Sequence, residues 1–271
     1  MPSGFRFQLE RLLAAAGLLH LALFIAPSAQ AEICAAQDFS GAQYIVCDVS
    51  PEQRPQLQLF WKDENGEAYR NFSRLASALQ QSGKSLILAF NAGMYETDFA
   101  PIGLYVENGK VLRSVKTPDP PKGKGPVANF FKKPNGVFFL NEKEAAIVPT
   151  RTYLKMQPKA RLATQSGPML VIDGRINPIF IQGSSDRTHR SGVGICEGNL
   201  IRFAISMGSV NFHDFAQLFR DHLHCRNALF LDGGGGAGFY SPALQRNDFS
   251  WHGGYGPMFG LVEDAREKPQ D

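Results

Sequence analysis

Short apolar runs, each broken within a few residues by a turn former, recur along most of this chain and constrain its fold more than any other feature. Tyr44 to Val49, Leu57 to Trp61, Leu86 to Phe90, Leu104 to Glu107, Val111 to Val115, Val137 to Leu140 and Ala145 to Val148 all read as strands. Between runs stand the hairpin signals Asn108-Gly109, Asn141-Glu142-Lys143-Glu144, Asp173-Gly174 and Glu197-Gly198-Asn199. Asn, Asp and Gly tolerate the positive φ that lets a tight turn follow strand twist. Segments beginning at Gly103, Gly136, Pro168 and Gly192 share one loose plan of small residue, strand, tight turn and second strand.

Two stretches carry helical periodicity instead. Across residues 71–82, Phe72, Leu75, Ala76 and Leu79 fall on one face and Gly83 supplies the stop, so this helix is expected to pack on a sheet. From about Phe212 to Leu223, Phe215, Leu218, Phe219 and His222 share a face, Asn211 is placed as N-cap, and the buried strand Ala228 to Leu231 follows. Thr117 to Pro126 mixes proline with glycine and reads as an exposed loop. The expectation is an α+β, strand-rich single domain of successive hairpins and a mixed sheet, with about two main helices.

The N-terminus sets the compartment. Arg6 and Arg11, an apolar run from Leu12 to Ile25, Pro27 and the small-residue site Ala29-Gln30-Ala31 make residues 1–31 a secretory signal peptide, leaving 32–271 as one domain in the periplasm or secreted. The apolar run is shorter than the roughly 20 residues of a spanning helix, and no later segment is longer, so no stable membrane insertion is expected after cleavage. Cys34 follows Glu32-Ile33, too far on for a lipid anchor. An exported compartment permits disulfides, and sequence neighbours are expected to pair, Cys34 with Cys47 and Cys196 with Cys225. Zinc is the rival reading, but no CxxC occurs. With 28 basic against 25 acidic side chains, the chain lacks the footprint of a nucleic-acid binder.

The residues suited to chemistry cluster where apolar runs end. Leu229-Phe230-Leu231 meets Asp232 and opens into Gly233-Gly234-Gly235-Gly236, a loop whose missing side chains let backbone N–H groups approach an oxygen-rich ligand. It has neither the GxGxxG of a dinucleotide site nor the Gly-Lys-Ser/Thr of a P-loop. Leu86 to Phe90 likewise ends at Asn91-Ala92-Gly93, and if the two strands are neighbours Asn91 and Asp232 face one pocket. Gln165-Ser166-Gly167-Pro168 is a third such junction. In Asp186-Arg187-Thr188-His189-Arg190, Arg187 and Arg190 are candidates to clamp an anion, against the plainer reading of a solvated charge run. Lys122, Lys124, Lys132 and Lys133 read as surface lysines. His222 and His224 beside Cys225 have the wrong spacing for a metal set, His213-Asp214 reads as a helix cap, and no GxSxG or HExxH occurs. No cofactor and no metal are expected.

Taken in order, Asn91-Ala92-Gly93-Met94-Tyr95, Pro101-Ile102-Gly103-Leu104, Gln165-Ser166-Gly167-Pro168-Met169-Leu170, Arg190-Ser191-Gly192-Val193-Gly194 and Leu231-Asp232-Gly233-Gly234-Gly235 resemble the phosphodiester glycosidase family over about residues 85–263. Two positions depart from its pattern: Ala92 stands where the family commonly has Gly, and Gly236 where its glycine loop ends in Ser. The resemblance implies an exported hydrolase that cleaves the glycosidic bond of a sugar-1-phosphodiester, such as an envelope glycan, releasing sugar and a phosphate monoester. A phosphate monoester leaves without strong general-acid help, so what is needed is charge neutralisation on phosphate and a carboxylate near the anomeric carbon. The implied catalytic residues are Asp232, Arg190 and Asn91, with Gly93, Gln165, Ser166, Gly167, Arg187, Gly233, Gly234 and Gly235 binding substrate. Glu96 and Asp98 are candidates for a second carboxylate. The alternative is a non-catalytic glycan-binding module.

Overall fold

Hairpins set the chain's course. The computed structural model describes residues 32–117 and 127–265, so the expected signal peptide and most of the Pro- and Gly-rich loop, with Lys122 and Lys124, lie outside the described residues. Strands β1 (Cys34–Phe39) and β2 (Ala42–Val49) pair across Ser40-Gly41, and β3 (Leu57–Phe60) leads to helix α1 (Phe72–Gln81) and β4 (Lys84–Asn91). Two hairpins follow, β5 (Tyr105–Glu107) with β6 (Lys110–Arg113), then β7 (Gly136–Leu140) with β8 (Ala145–Pro149), which runs into the short helix α2 (Thr150–Met156). Next come β9 (Leu162–Ser166), the hairpin β10 (Met169–Ile172) and β11 (Arg175–Ile176), and the hairpin β12 (Arg190–Cys196) and β13 (Ile201–Ser206). Helix α3 (Phe212–Gln217), continued by a π-helical turn over Leu218–His222, precedes β14 (Cys225–Gly233). Last are β15 (Phe239–Ser241), β16 (Arg246–Asn247) and β17 (Met258–Asp264).

The expected turns form where positive φ is accepted: Asn108 and Gly109 adopt φ of 50° and 76°, Asp173 and Gly174 46° and 77°, Gly198 and Asn199 70° and 58°. Both expected helices are present. Asn71 caps α1 by accepting from the Arg74 N–H, and Asn211 caps α3 by accepting from the Asp214 N–H. His222, expected on the buried face of the second helix, instead lies at its edge, with its ring 5.2 Å from Phe39 and a hydrogen bond to Gln37. Helix α2 carries no sequence periodicity; it starts at Pro149 and buries mainly Tyr153.

Three sheets result, ordered β1-β2-β13-β12-β14-β10-β11, β16-β15-β4-β17-β3 and β6-β5-β9-β7-β8. Every pairing between these strands is antiparallel, where a mixed sheet was expected; hairpins join β1 to β2, β5 to β6, β7 to β8, β10 to β11, β12 to β13 and β15 to β16, and the longer connections keep the same sense. The inner faces of all three sheets meet in one core, exemplified by Phe90, Phe138, Phe203, Leu229 and Phe259. Each outer face has its own helix: α1 covers β4 and β17 through Phe72, Leu75 and Leu79, α3 covers β14 through Phe215, and α2 covers β7 through Tyr153. Strands buried on both sides therefore read as continuous apolar runs, as in Val137 to Leu140 and Ala228 to Leu231. Disulfides join Cys34 to Cys47 across β1 and β2, and Cys196 to Cys225 across β12 and β14. Each closes a loop worth about 2–4 kcal/mol.

Candidate active site

The three sheets each bring a strand end to one place. In the register of β12 and β14, Arg190 lies opposite Gly233 and Ser191 opposite Asp232. Ser191 Oγ donates to the Asp232 carbonyl at 3.1 Å, and Ser166 Oγ, at the end of β9, donates to the Leu231 carbonyl at 2.9 Å. From β4, Asn91 Oδ1 accepts from the Gly238 N–H at 3.1 Å, while Thr164 Oγ1 donates to the Ala92 carbonyl at 2.6 Å. Gly93, at φ 132°, passes Thr164 so closely that a Cβ would stand 3.2 Å from its Oγ1. Thr188 and His189 close the ring, since the Gly234 N–H donates to the His189 carbonyl at 3.0 Å. Four stretches far apart in sequence thus share one neighbourhood.

The glycine loop has a specific use here. A Cβ on Gly236 would collide with the Asp232 carboxylate, one on Gly238 with the Tyr255 hydroxyl, and one on Gly235 would stand 3.1 Å from the His252 ring. The glycines are a bed on which a carboxyl, a phenol and an imidazole lie. Gly236, the departure from the family pattern, is the position that seats the acid.

Burial pushes the Asp232 carboxyl up to about 7, opposed only by a hydrogen bond from the Gly233 N–H at 2.8 Å. The residue keeps partial contact with solvent, so its carboxyl is confined without being sealed. Asn91 and Tyr255 are fully buried, yet Asn91 Nδ2 and Tyr255 Oη have no hydrogen-bond partner among the described residues. Buried polar atoms without partners are rare. Both residues adjoin Gly238, Asn91 through its hydrogen bond to the Gly238 N–H and Tyr255 through its hydroxyl. Tyr95 Oη donates to the Gly254 carbonyl at 2.8 Å, and burial raises this phenol, against a Ser250 hydrogen bond and with the Asp232 charge adding to the rise.

The remaining expected residues are placed differently. Gln165 Oε1 accepts from the Leu104 and Lys116 N–H groups, and its Nε2 donates to the Lys116 carbonyl and Thr150 Oγ1, so the amide fastens the segment entering the Pro-rich loop. Gly167 packs on Asn135, where a Cβ would stand 2.6 Å from that residue's own. Arg190 is 1% exposed; its guanidinium donates to the Val210 and Asp186 carbonyls, lies 3.6 Å from the Phe212 ring centroid and approaches Asp186 Oδ1 at 3.6 Å. Desolvation lowers its pKa to about 10. Arg187 pairs with Asp214 at 3.1 Å. Lys132 sits over the Phe212 ring. Of the candidate second carboxylates, Glu96 pairs with Lys116, and Asp98 accepts from the Ala100 N–H. His252 and Tyr255 were not expected, and Tyr95 entered only as the last residue of the Asn91-Ala92-Gly93-Met94-Tyr95 motif. The available signal was a second glycine cluster, Gly253-Gly254-Tyr255-Gly256, whose Gly253 and Gly254 adopt φ of 85° and 147°. Among the described residues, no three His, Cys, Asp or Glu side chains are grouped to hold a metal ion.

A family model described as phosphodiester glycosidase matches residues 84–258. The uncharacterized protein YigE of Escherichia coli (strain K12) is 33% identical over 181 residues, 67% of this chain and 68% of that protein. Among solved structures, the catalytic domain of zebrafish N-acetylglucosamine-1-phosphodiester alpha-N-acetylglucosaminidase, auto-inhibited by its pro-peptide, aligns with a TM-score of 0.59 at 14% identity, covering 86% of this chain and 84% of that one. A hypothetical protein from Synechocystis aligns with a TM-score of 0.50 at 14% identity, covering 84% of this chain and 61% of that one. At these identities the structural likenesses speak for the fold.

Proposed function

Since the chain belongs to the phosphodiester glycosidase family, we propose that it is an exported hydrolase that cleaves the glycosidic bond of a sugar-1-phosphodiester, releasing the free sugar and a phosphate monoester. The observation that carries this reading is the Asp232 carboxyl, raised to about 7 on Gly236 of a glycine loop whose Gly238 meets Asn91 and Tyr255. A carboxyl near neutrality is suited to proton transfer, whereas a nucleophilic carboxylate must stay ionised. Asp232 therefore acts as general base. It takes a proton from water as the water oxygen bonds to the anomeric carbon, and the bond from that carbon to the phosphate oxygen breaks with its electron pair leaving on the phosphate.

Asn91 and Tyr255 would reach sugar hydroxyls only as the glycine loop around Gly238 moves aside. The glycine-loop backbone and His252, which rests on Gly235, would meet the phosphate oxygens. Arg190 is a positioning residue, holding the Asp186–Val210 backbone against Gly233 and Gly234, and Gln165 positions Lys116 in the same way. The two disulfides fit an oxidising compartment, periplasmic or extracellular. The zebrafish enzyme is named for N-acetylglucosamine-1-phosphodiesters, which makes these the first compounds to try.

The test is release of sugar and phosphate monoester from a panel of sugar-1-phosphodiesters. Asp232→Asn is expected to lower kcat by about 10²–10⁴-fold. Because the base works ionised, kcat/KM of the wild type should rise through about pH 7 and level off above it. Full activity in the variant, or a rate that falls across that range, would remove Asp232 from the role. Retention of glycans without turnover would favour a binding module instead.

A further inference from the structure

Beside the loop that delivers His252 to the glycine bed, two side chains stand on backbone that suits glycine better: Arg70 at φ 65° and Phe99 at φ 64°. A residue that stays in such a conformation has a use for its side chain. Here the two side chains meet, the Arg70 guanidinium lying 4.2 Å from the centroid of the Phe99 ring. From that contact a closed circuit runs through two loops. Phe99 stacks on Tyr95, with centroids 5.7 Å apart and planes at 19°. Tyr95 Oη donates to the Gly254 carbonyl at 2.8 Å, and the Arg70 guanidinium donates to the Gly253 carbonyl at 2.9 Å. The Arg70 backbone closes on the same stretch. Its carbonyl accepts from the Tyr255 N–H at 2.7 Å, and Gly254, at φ 147°, passes so near that a Cβ there would stand 2.6 Å from that of Arg70. Two residues on, Phe72 at the start of α1 stacks on the Tyr255 ring at 4.6 Å, so the circuit hangs from a helix that packs on β4 and β17.

The circuit reaches the chemistry at two points. Tyr95 feels the Asp232 charge, and His252, the residue before Gly253, rests on Gly235. Arg70 reaches both through intermediates, from an exposed position. We propose that Arg70 is a positioning residue for the reaction, its guanidinium tying the Phe99 ring to the Gly253 carbonyl and so holding Tyr95 and His252 in place against the glycine loop. This rests on the reading of Asp232 and its neighbours as a phosphodiester glycosidase site. It adds a residue that precedes the stretch matched by the family model, which begins at residue 84. Other charged side chains near the two loops are engaged elsewhere, Glu96 with Lys116 and Arg246 with Asp248. One hydrogen bond and one cation over a ring at an exposed position hold little of the fold's stability. What they fix is geometry, and small displacements of groups that act on a transition state cost rate steeply.

The test uses the full chain and the methyl ester of N-acetylglucosamine 1-phosphate. Arg70→Ala is expected to lower kcat about 10–30-fold with KM within about threefold, because alignment in the transition state is lost and no contact with bound substrate is. Its Tm should stay within about 3 °C of the wild type. Arg70→Lys keeps a cation over Phe99 and a donor for the Gly253 carbonyl, and should return kcat to within about threefold. Hydrogen exchange reads the same displacement without turnover. In Arg70→Ala the amides of residues 94–100 and 250–256 should exchange about tenfold faster together, with those of α1 and β17 unchanged. An unchanged kcat, a rise in KM alone, a Tm lowered by about 10 °C, or a loss that Arg70→Lys does not relieve overturns the proposal. So does unchanged exchange in either loop. If the wild type hydrolyses no sugar-1-phosphodiester, the glycosidase reading fails on its own account, and the exchange result alone decides whether Arg70 ties the two loops.

Discussion

Asn91 and Gln165 carry the same amide, both stand at or near the end of a strand, and both are buried, yet their hydrogen-bonding capacity is engaged in opposite ways. Gln165 makes four hydrogen bonds through Oε1 and Nε2, which is all that an amide can make. Asn91 accepts one bond from the Gly238 N–H, and its Nδ2 makes none among the described residues. The same contrast separates Arg190, whose guanidinium is committed to backbone carbonyls and an aromatic face, from Asp232, whose carboxyl has a single backbone donor. Folding rarely leaves a buried polar atom unpartnered without a reason. The engaged members of each pair fix the shape of the site, and on the proposed reading the open ones meet the substrate.

Substituting the two amides should separate these roles, and this is the largest effect expected. Gln165→Leu strands two backbone N–H groups and a carbonyl on the buried side of the Lys116 segment, at about 1–3 kcal/mol each, so a stability loss of about 4 kcal/mol or more is expected in urea denaturation. Asn91→Ala frees only the Gly238 N–H and should cost about 1 kcal/mol, yet lower kcat/KM by about 10²-fold or more. Should Asn91→Ala prove the more destabilising and Gln165→Leu the more inactivating, the contrast fails.

Asp232 sharpens the comparison through pH. Its folded pKa of about 7 lies above the usual 3.8, so between about pH 4 and 7 the unfolded chain releases a proton that the folded chain keeps, and stability falls as pH rises. Above about pH 7 the loss is complete. Asp232→Asn has no such ionisation and should be more stable than wild type by about 4 kcal/mol at pH 8, with the two converging near pH 3. Equal stability at both values would mean that the carboxyl is not confined. Greater stability with less activity is the pattern of a site kept at the fold's expense.

Much of this was legible in sequence, and for local reasons. Positive φ at Asn108-Gly109 and Asp173-Gly174 is a property of those residues, so hairpins followed from composition and spacing. Asn71 and Asn211 announced helix starts because capping acts over three residues. Cysteines near in sequence proved to be cross-strand partners. The closure of three sheets on one core was not legible, since it depends on partners such as β4 with β17 that lie more than a hundred residues apart. Nor was α2, seven residues with one principal buried side chain. At the site, Asp232 and Asn91 were visible as polar ends of apolar runs. His252 and Tyr255 were not, because what marks them is that they rest on Gly235 and Gly238. The arginines were visible as charge, but charge gives no direction, and only the fold shows Arg190 turned onto Phe212.

Arg187 is the smallest and most discriminating case. Its guanidinium meets Asp214 at 3.1 Å with side chains 45% and 30% exposed, a pair that solvent screens and that is worth under about 1 kcal/mol. An arginine already paired in this way has little reason to hold substrate unless it exchanges one anion for another. Arg187→Ala is therefore expected to change stability by under about 1 kcal/mol and KM for a phosphodiester by less than about threefold. A KM raised tenfold or more, with the effect fading as salt is added, would show that the guanidinium leaves Asp214 for the phosphate. Engaged and open groups would then be interchangeable at the rim of the site, and the distinction would hold only for groups that are buried.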